Sequence, residues 1–498
     1  MTVAMRVAEL VLPDSAKTAP GGGEDEPSSR HRACAHQVHP PRKGPAMTPS
    51  RLNVPARRRP RVGGRAGWPT RLPAHRATTA HLQAAYPFIA ESGLGAAGSY
   101  IGRDLFGGSF CYDPFELYAA GKLTNPNMLI AGNVGSGKSS FVKTFLWRQH
   151  AFGRAAWIAD PKGEYGDLAA ACGTVPIRLG PGLATRLNPF DQPAPPAGPG
   201  HGGDSGAASS DGFGRQLRLL RALASTALER SLTPIEHAAC DLALTAVGGQ
   251  DPAAGRVPVL PDLVDALLEP AEAAARRLRM SAGQLAEASR DLALVMRRMC
   301  DGDLAGMFDG PTSLDIEPGA PLVVLDLSAV YQHNRDALPL VMACATAWLQ
   351  AAITAAGADR RYVVIDEAWA LLSQLGTARW LQASYKLSRA HGVANIAVLH
   401  RFSDLSAAGD RGSQTVSLAR GLLADAGTRV VYAQPSDQVE TARTLLGLTS
   451  TEAGLLPHLA QGTALWKIGT QSFVVEHRRS PAEAAMSDTD AAMTGNRP

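Results

Sequence analysis

A chain of 498 residues with 45% hydrophobic content has material for one large domain or two to three ordinary ones, each with a buried core. The formal net charge of +4 is unevenly spread: Pro27 to Ala80 holds twelve Lys/Arg and no Asp/Glu, while the chain beyond is mildly acidic. That excludes a body that is basic throughout, so any nucleic-acid track must be local. Six cysteines (Cys34, Cys111, Cys172, Cys240, Cys300, Cys344) without a C-x-x-C pair exclude a zinc ribbon or disulfide framework and suit a reducing cytosol.

Residues 1–82 are Pro/Arg/Gly-rich and aperiodic, a disordered basic tail whose densest charge is Arg57 to Arg59. A sharper reading makes them an arm for nucleic acid or anionic lipid. His31, Cys34, His36 and His39 fall inside this tail and are read as part of it, not as a metal site. No charged-then-apolar secretory signal opens the chain. Order is expected from near His81, with Tyr100-Ile101 and Ser109 to Tyr112 as short strands of a small β-lobe over 83–126.

An apolar strand, Met128 to Ala131, then enters Gly132-Asn-Val-Gly-Ser-Gly-Lys138-Ser139, and a helix over Phe141 to Trp147 leaves it. This is G-x-x-x-x-G-K-[ST] in its strand–loop–helix setting, which predicts binding of a nucleoside triphosphate. Glycines let backbone N–H groups turn toward phosphate oxygens at a helix N-terminus that favours anions. Candidate phosphate-binding residues are therefore Gly132, Asn133, Val134, Gly135, Ser136, Gly137, Lys138, Ser139 and Ser140. Lys138 supplies the cation for the β- and γ-phosphates, and Ser139 the hydroxyl for Mg²⁺.

A second strand, Ala155 to Ala159, ends in Asp160-Pro-Lys-Gly-Glu-Tyr165, completing the first part of the core at 127–190. Residues 191–214 read as a flexible Pro/Gly/Ser/Ala linker. An all-α insert over 215–318 follows, with four or five helices ending near Met307. One of its starts is well marked: Thr233 at N-cap, Pro234 at N1 and Glu236 at N3 make a capping box. The core resumes over 319–479 with Pro321 to Asp326, Tyr362 to Asp366, Asn395 to Leu399 and Arg429 to Tyr432. The apolar stretch Ala337 to Gly357 contains Pro339, Gln350 and two threonines between strands, so it reads as a buried helix in place of a membrane span. Thr463 to Lys467 and Ser472 to Glu476 form a closing hairpin around Gly469, and 480–498 is a disordered tail. Strands alternating with helices predict an α/β fold with a mostly parallel sheet.

Asp366-Glu367 follows the strand residues Tyr362 to Ile365. At a strand's C-terminal edge, Asp366 would reach the Mg²⁺ held by Ser139, and Glu367 would polarise the water attacking the γ-phosphate. The long spacing from Lys138 predicts that the two motif strands are not sheet neighbours, as in RecA-like motors. Asp160, Lys162 and Glu164 stand at another such edge, either positioning nucleotide or water or forming a structural ion pair.

In chain order, the phosphate loop, Asp160 to Tyr165, Leu187-Asn-Pro-Phe190, Leu232-Thr-Pro-Ile-Glu236, Ile365-Asp-Glu-Ala-Trp369 and Ser388-Arg-Ala-His-Gly392 resemble the HerA–FtsK superfamily, most closely the large cytoplasmic ATPases of conjugative type IV secretion systems. The likeness covers roughly Tyr86 to Glu483. It implies a RecA-like (additional-strand P-loop) fold with an all-α insert, a homo-oligomeric ring, commonly a hexamer, and ATP with Mg²⁺ between subunits. It makes Lys138, Ser139 and Asp366 the phosphate and metal ligands, Glu367 the catalytic carboxylate, and Arg389 the arginine entering the neighbouring site; Arg401 and Arg429 are rivals for that last role. Many relatives carry a γ-phosphate-sensing glutamine where this chain has His400, which can also donate or accept a hydrogen bond. The relatives also carry a sizeable N-terminal domain docking on the membrane channel, whereas only 83–126 precede the loop here, so docking through a separate protein, or another role, is expected. The expected function is an ATP-driven motor for a conjugative or type IV secretion-like apparatus, cytoplasmic or peripheral on the inner membrane face, with channel components and DNA as partners and no integral membrane segment. The alternatives are a soluble DNA translocase of the same superfamily and an ATP-binding scaffold with little turnover.

Overall fold

The computed structural model describes residues 94–191, 205–248, 257–314, 320–355, 360–388, 392–400 and 414–488. The tail over 1–82, Arg389 and Arg401 lie outside them. Eleven strands form a single sheet: β1 Ser99–Asp104, β2 Ser109–Tyr112, β3 Met128–Ala131, β4 Ala155–Asp160, β5 Ile177–Arg178, β6 Leu322–Asp326, β7 Arg361–Ile365, β8 Val393–Leu399, β9 Thr428–Val431, β10 Thr463–Ile468 and β11 Gln471–His477. Their order is β2-β1-β11-β10-β9-β3-β8-β7-β4-β6-β5. From β9 to β5 neighbours run parallel; β10, β11, β1 and β2 continue the sheet antiparallel. The early strands are thus not a separate lobe. β1 pairs with β11, a chain-distant contact that no local pattern in 83–126 could announce.

The parallel strands read as unbroken apolar runs because both faces are covered. In β3, Leu129 and Ala131 face one core cluster, while Met128 and Ile130 face the other; β7 splits likewise between Val363, Ile365 and Tyr362, Val364. The helix Lys138–His150 fills one face with Phe141, Val142 and Phe145. The insert and the helix Leu338–Ala355 pack on the other. Among the described residues no helix is long and apolar enough to cross a membrane. Leu338–Ala355 is instead walled in, with Trp348 stacked 6.5 Å from Trp157 of β4.

Two boundaries differ from expectation. The insert has six described helices (Ser205–Ala227, Pro234–Gly248, Leu260–Leu268, Glu272–Arg277, Ala282–Ala288, Arg290–Asp301), and the first begins inside the stretch expected to be linker. Its later turns bury Leu219, Leu220 and Leu223, and a helix nucleated by packing propagates back through residues of weak propensity. The expected disordered tail holds a helix, Pro481–Ser487, with a capping box between Ser480 and Glu483. Arg148 grips Glu483 at 2.6 and 2.8 Å, tying that helix to Lys138–His150. The capping box at Thr233 and Glu236 forms as expected, with N–H contacts of 2.7 and 3.3 Å.

Candidate active site

Four strand ends meet at the C-terminal edge of the parallel block, and each delivers one part of the site. β3 delivers the loop. Gly137 caps the following helix at φ 107 with no side-chain cap, so the first-turn N–H groups are left to a ligand. The loop is braced from behind: Asn133 N–H donates to Ala433 O at 3.0 Å, Gly462 N–H to Ser136 O at 2.9 Å and Gln461 Nε2 to Gly135 O at 2.9 Å. A Cβ on Gly132 would stand 2.5 Å from Tyr432 Cβ, so this position admits only glycine. Lys138 Nζ lies over the loop, donating to Gly132 O at 2.7 Å and Asn133 O at 2.8 Å. Burial lowers its pKa to about 8, partly opposed by the charge of Asp366, with Lys162 acting in the same sense as burial and Glu367 and Glu164 against it. β3, β8, β7 and β4 are parallel neighbours, so the loop and the turns after the other three strands stand at the same sheet edge.

β7 delivers the carboxylate pair. β8 lies between β3 and β7, so the two motif strands are not neighbours, as the sequence spacing predicts. Asp366 is 1% exposed; its Oδ1 accepts the Glu367 N–H at 2.9 Å and its Oδ2 the Tyr165 hydroxyl at 3.3 Å. Burial, and next the Glu367 charge, push its pKa up to about 6. Glu367 takes φ 52, a left-handed conformation that costs a non-glycine residue about 1–2 kcal/mol.

β4 and β8 deliver what holds Glu367 there. Lys162 forms an ion pair with Glu367 Oε1, His400 Nε2 stands 2.9 Å from the same oxygen, and the Trp369 indole N–H donates to Oε2. Lys162 Nζ and His400 Nε2 are 3.0 Å apart. The tautomer decides whether that nitrogen gives a hydrogen to Glu367 or takes one from Lys162. His400 Nδ1 is buried without a partner among the described residues. Burial raises the Glu367 pKa, but the His400 hydrogen bond and charge, with those of Lys162, outweigh it and bring the group to about 2.

This settles what the Asp160 to Tyr165 motif does locally. Asp160 is a turn builder: Oδ1 accepts N–H groups of Lys162 and Gly163 at 3.2 and 2.9 Å, and Oδ2 that of Tyr165 at 3.0 Å. Gly163 takes φ 72 in that turn. The turn presents Lys162 to Glu367 and Tyr165 to Asp366. Sequence reasoning missed Tyr165 and Trp369 as members of the site; both stand within motifs it had singled out.

Ser139 has no hydrogen-bond partner among the described residues, whereas the Ser140 hydroxyl is turned away to Ser487 Oγ at 3.1 Å and Arg479 Nη1 at 2.7 Å. Ser140 can therefore serve the loop only through its backbone. Val134 is 69% exposed at the loop tip. Arg429 lies in β9, its Nε donating to Leu423 O at 3.3 Å. For a divalent cation, the Ser139 hydroxyl and Asp366 carboxylate are hard oxygen donors that suit Mg²⁺. Asp366, Glu367 and His400 each bring a ligand atom within 4.8 Å of the others. His400 and Glu367, however, are engaged with each other and with Lys162. A cavity of about 190 Å³ lined by Arg218, Arg221, Arg379 and Trp380 lies apart from these residues, against the insert's first helix.

A phosphate loop, an acidic pair one strand removed and a mostly parallel sheet covered on both faces define a P-loop protein with a RecA-like fold. No protein-family model and no curated protein matches the sequence. Among solved structures, VirB4 of Thermoanaerobacter pseudethanolicus is similar over 80% of this chain and 100% of that one, with a TM-score of 0.63 at 22% identity. The conjugative coupling protein TrwB is similar over 76% of this chain and 88% of that one at 15% identity, but with a TM-score of 0.44. The plasmid coupling protein TrwB in complex with ADP and Mg²⁺ covers 72% and 87%, at 17% identity and a TM-score of 0.43. The fold is thus shared with VirB4; the TrwB likeness is too loose to add to that.

Proposed function

We propose that this chain is an ATP-hydrolysing motor that energises a conjugative or type IV secretion-like transfer apparatus from its cytoplasmic side, as a ring of identical subunits. The observation that carries the proposal is the convergence of Lys138, Asp366 and Glu367 at one sheet edge. The fold shared with VirB4, and the resemblance of the Asp160 to Tyr165 and Ile365 to Trp369 motifs to secretion ATPases, support the choice of apparatus. Lys138 exchanges its loop carbonyls for the β- and γ-phosphate oxygens, and the loop N–H groups close around them. Ser139 and Asp366 would hold Mg²⁺, which would supply neutralisation of the phosphate charge. Water attacks the γ-phosphorus in line, the bridging P–O bond breaks with its electron pair leaving on ADP, and a water proton passes to Glu367. Arg389 is proposed to reach the neighbouring subunit's γ-phosphate.

The test is steady-state ATP hydrolysis by the full chain, with and without single- and double-stranded DNA. Glu367→Gln is expected to bind ATP while losing about 100-fold or more in turnover, the usual worth of a general base. Lys138→Ala is expected to lose nucleotide binding. Near-normal turnover in Glu367→Gln would sink the catalytic assignment. Strong DNA stimulation with a steep salt dependence would move the reading to a DNA translocase.

A further inference from the structure

The lysine of the Asp160 to Tyr165 motif has no part in the steps above, yet it is ion-paired with Glu367. Both Glu367 oxygens are engaged by this chain's own side chains: Oε1 by the Lys162 ammonium, with His400 Nε2 2.9 Å away, and Oε2 by the Trp369 indole N–H. A carboxylate so held is a weak proton acceptor, because the lone pairs that would meet a water are shared with cations or donors. Its backbone meanwhile takes a left-handed conformation, a local strain at the same residue. The partners differ in freedom: the Glu367 side chain is 3% exposed and that of Lys162 22%. Lysine is a point charge on a flexible stem, and the charge of Lys162 already acts on Lys138 over the phosphate loop.

We infer that Lys162 is a positioning residue that latches Glu367 until a nucleoside triphosphate is bound, and that the terminal phosphate then draws the ammonium away and frees the carboxylate to accept the water's proton. The inference rests on the ATPase reading. A terminal phosphate carries more charge than a carboxylate already shared with His400, so it wins the ammonium; a diphosphate lacks that group. What Lys162 gains at the phosphate it gives up at Glu367, so the latch acts on turnover and hardly on affinity. Trp369 reports the event, because its indole N–H is bonded to the carboxylate that moves.

Two measurements on the full chain test this. In the wild type, the tryptophan emission that vanishes in Trp369→Phe should change on adding adenosine imidotriphosphate and not on adding ADP. Lys162→Met should lose the triphosphate-specific Trp369 response while still binding the analogue, and Lys162→Arg should largely restore that response. An equal Trp369 response to ADP and the triphosphate would overturn the latch even if Lys162→Met fails to fold. So would a Lys162→Met chain that keeps the triphosphate-specific response, or one that loses affinity for both nucleotides together with thermal stability, which marks a purely structural ion pair. Hydrolysis that survives Glu367→Gln would defeat the ATPase reading itself; hydrolysis that needs Glu367 beside a Trp369 response that ignores Lys162 defeats only the latch.

Discussion

Gly132 and Glu367 show how single residues decide the site. At Gly132 the constraint is space. A methyl 2.5 Å from Tyr432 Cβ must displace either the loop or β9's continuation, so Gly132→Ala is expected to cost about 1–3 kcal/mol of stability. It should weaken nucleotide binding along with that, because the same backbone carries the Lys138 acceptors. A denaturant melt beside a nucleotide titration checks it, and an Ala variant equal to wild type in both would refute it. At Glu367 the constraint is electrical: the buried carboxylate is tolerable because the Lys162 ammonium answers its charge and His400 and the Trp369 N–H stand against its oxygens. The same contacts that permit its burial restrain its chemistry.

Among the elements, β3 and β8 are pinned by an amide pair that is buried completely. Asn127 Oδ1 accepts the Asn395 N–H at 2.9 Å and Asn395 Nδ2 at 3.1 Å. A one-residue slip would turn Met128 and Leu129 to opposite faces, so this polar contact specifies register between two apolar strands. Asn395→Ala is expected to lower stability by about 1–3 kcal/mol in urea unfolding, since the side-chain donor to Asn127 is lost in a dry place. The helix Lys138–His150 meets the closing hairpin through His477, whose Nε2 lies 2.9 Å from Thr144 Oγ1 and whose ring stands edge-on to Phe141 at 5.4 Å. Burial, then the charges of Arg148 and Arg479, lowers the His477 pKa to about 3. The unfolded chain, with an imidazole near its ordinary value of about 6.5, binds more protons between those values. The stability contributed by neutral His477 is therefore complete above pH ~6.5 and lost as pH falls toward 3. Urea midpoints at pH 8 and pH 5 should fall further apart for the wild type than for His477→Gln; equal gaps would contradict the assignment.

For the whole molecule, the sheet carries the nucleotide parts on its parallel block and extends sideways through four antiparallel strands. The helix Pro481–Ser487 binds that extension to the helix behind the phosphate loop, with Arg148 also donating to Tyr100 O and Arg478 O at 2.5 and 2.6 Å. If Arg389 works on a neighbouring subunit, Arg389→Ala and Lys138→Ala chains, each inactive alone, should regain part of the hydrolysis rate when mixed. No recovery over a range of mixing ratios would leave Arg389 without a trans role.

The phosphate loop, the Asp366-Glu367 pair and the strand Asn395 to Leu399 were legible in the sequence because each is local. Glycine spacing, a run of four apolar residues before a carboxylate, and alternating strand and helix patterns are written within a few residues of one another. The capping box at Thr233 was readable for the same reason. What contacts across the fold decide was not. β1 joins a strand that begins more than 350 residues later, Ser140 turns to the C-terminal helix, and that helix is docked by Arg148 on Glu483. Lys162 was left between a ligand role and an ion pair until the fold placed the ends of β4, β7 and β8 side by side. Local spacing determines which groups a chain carries to a strand's end; only the order of strands in the sheet determines which of those ends are neighbours.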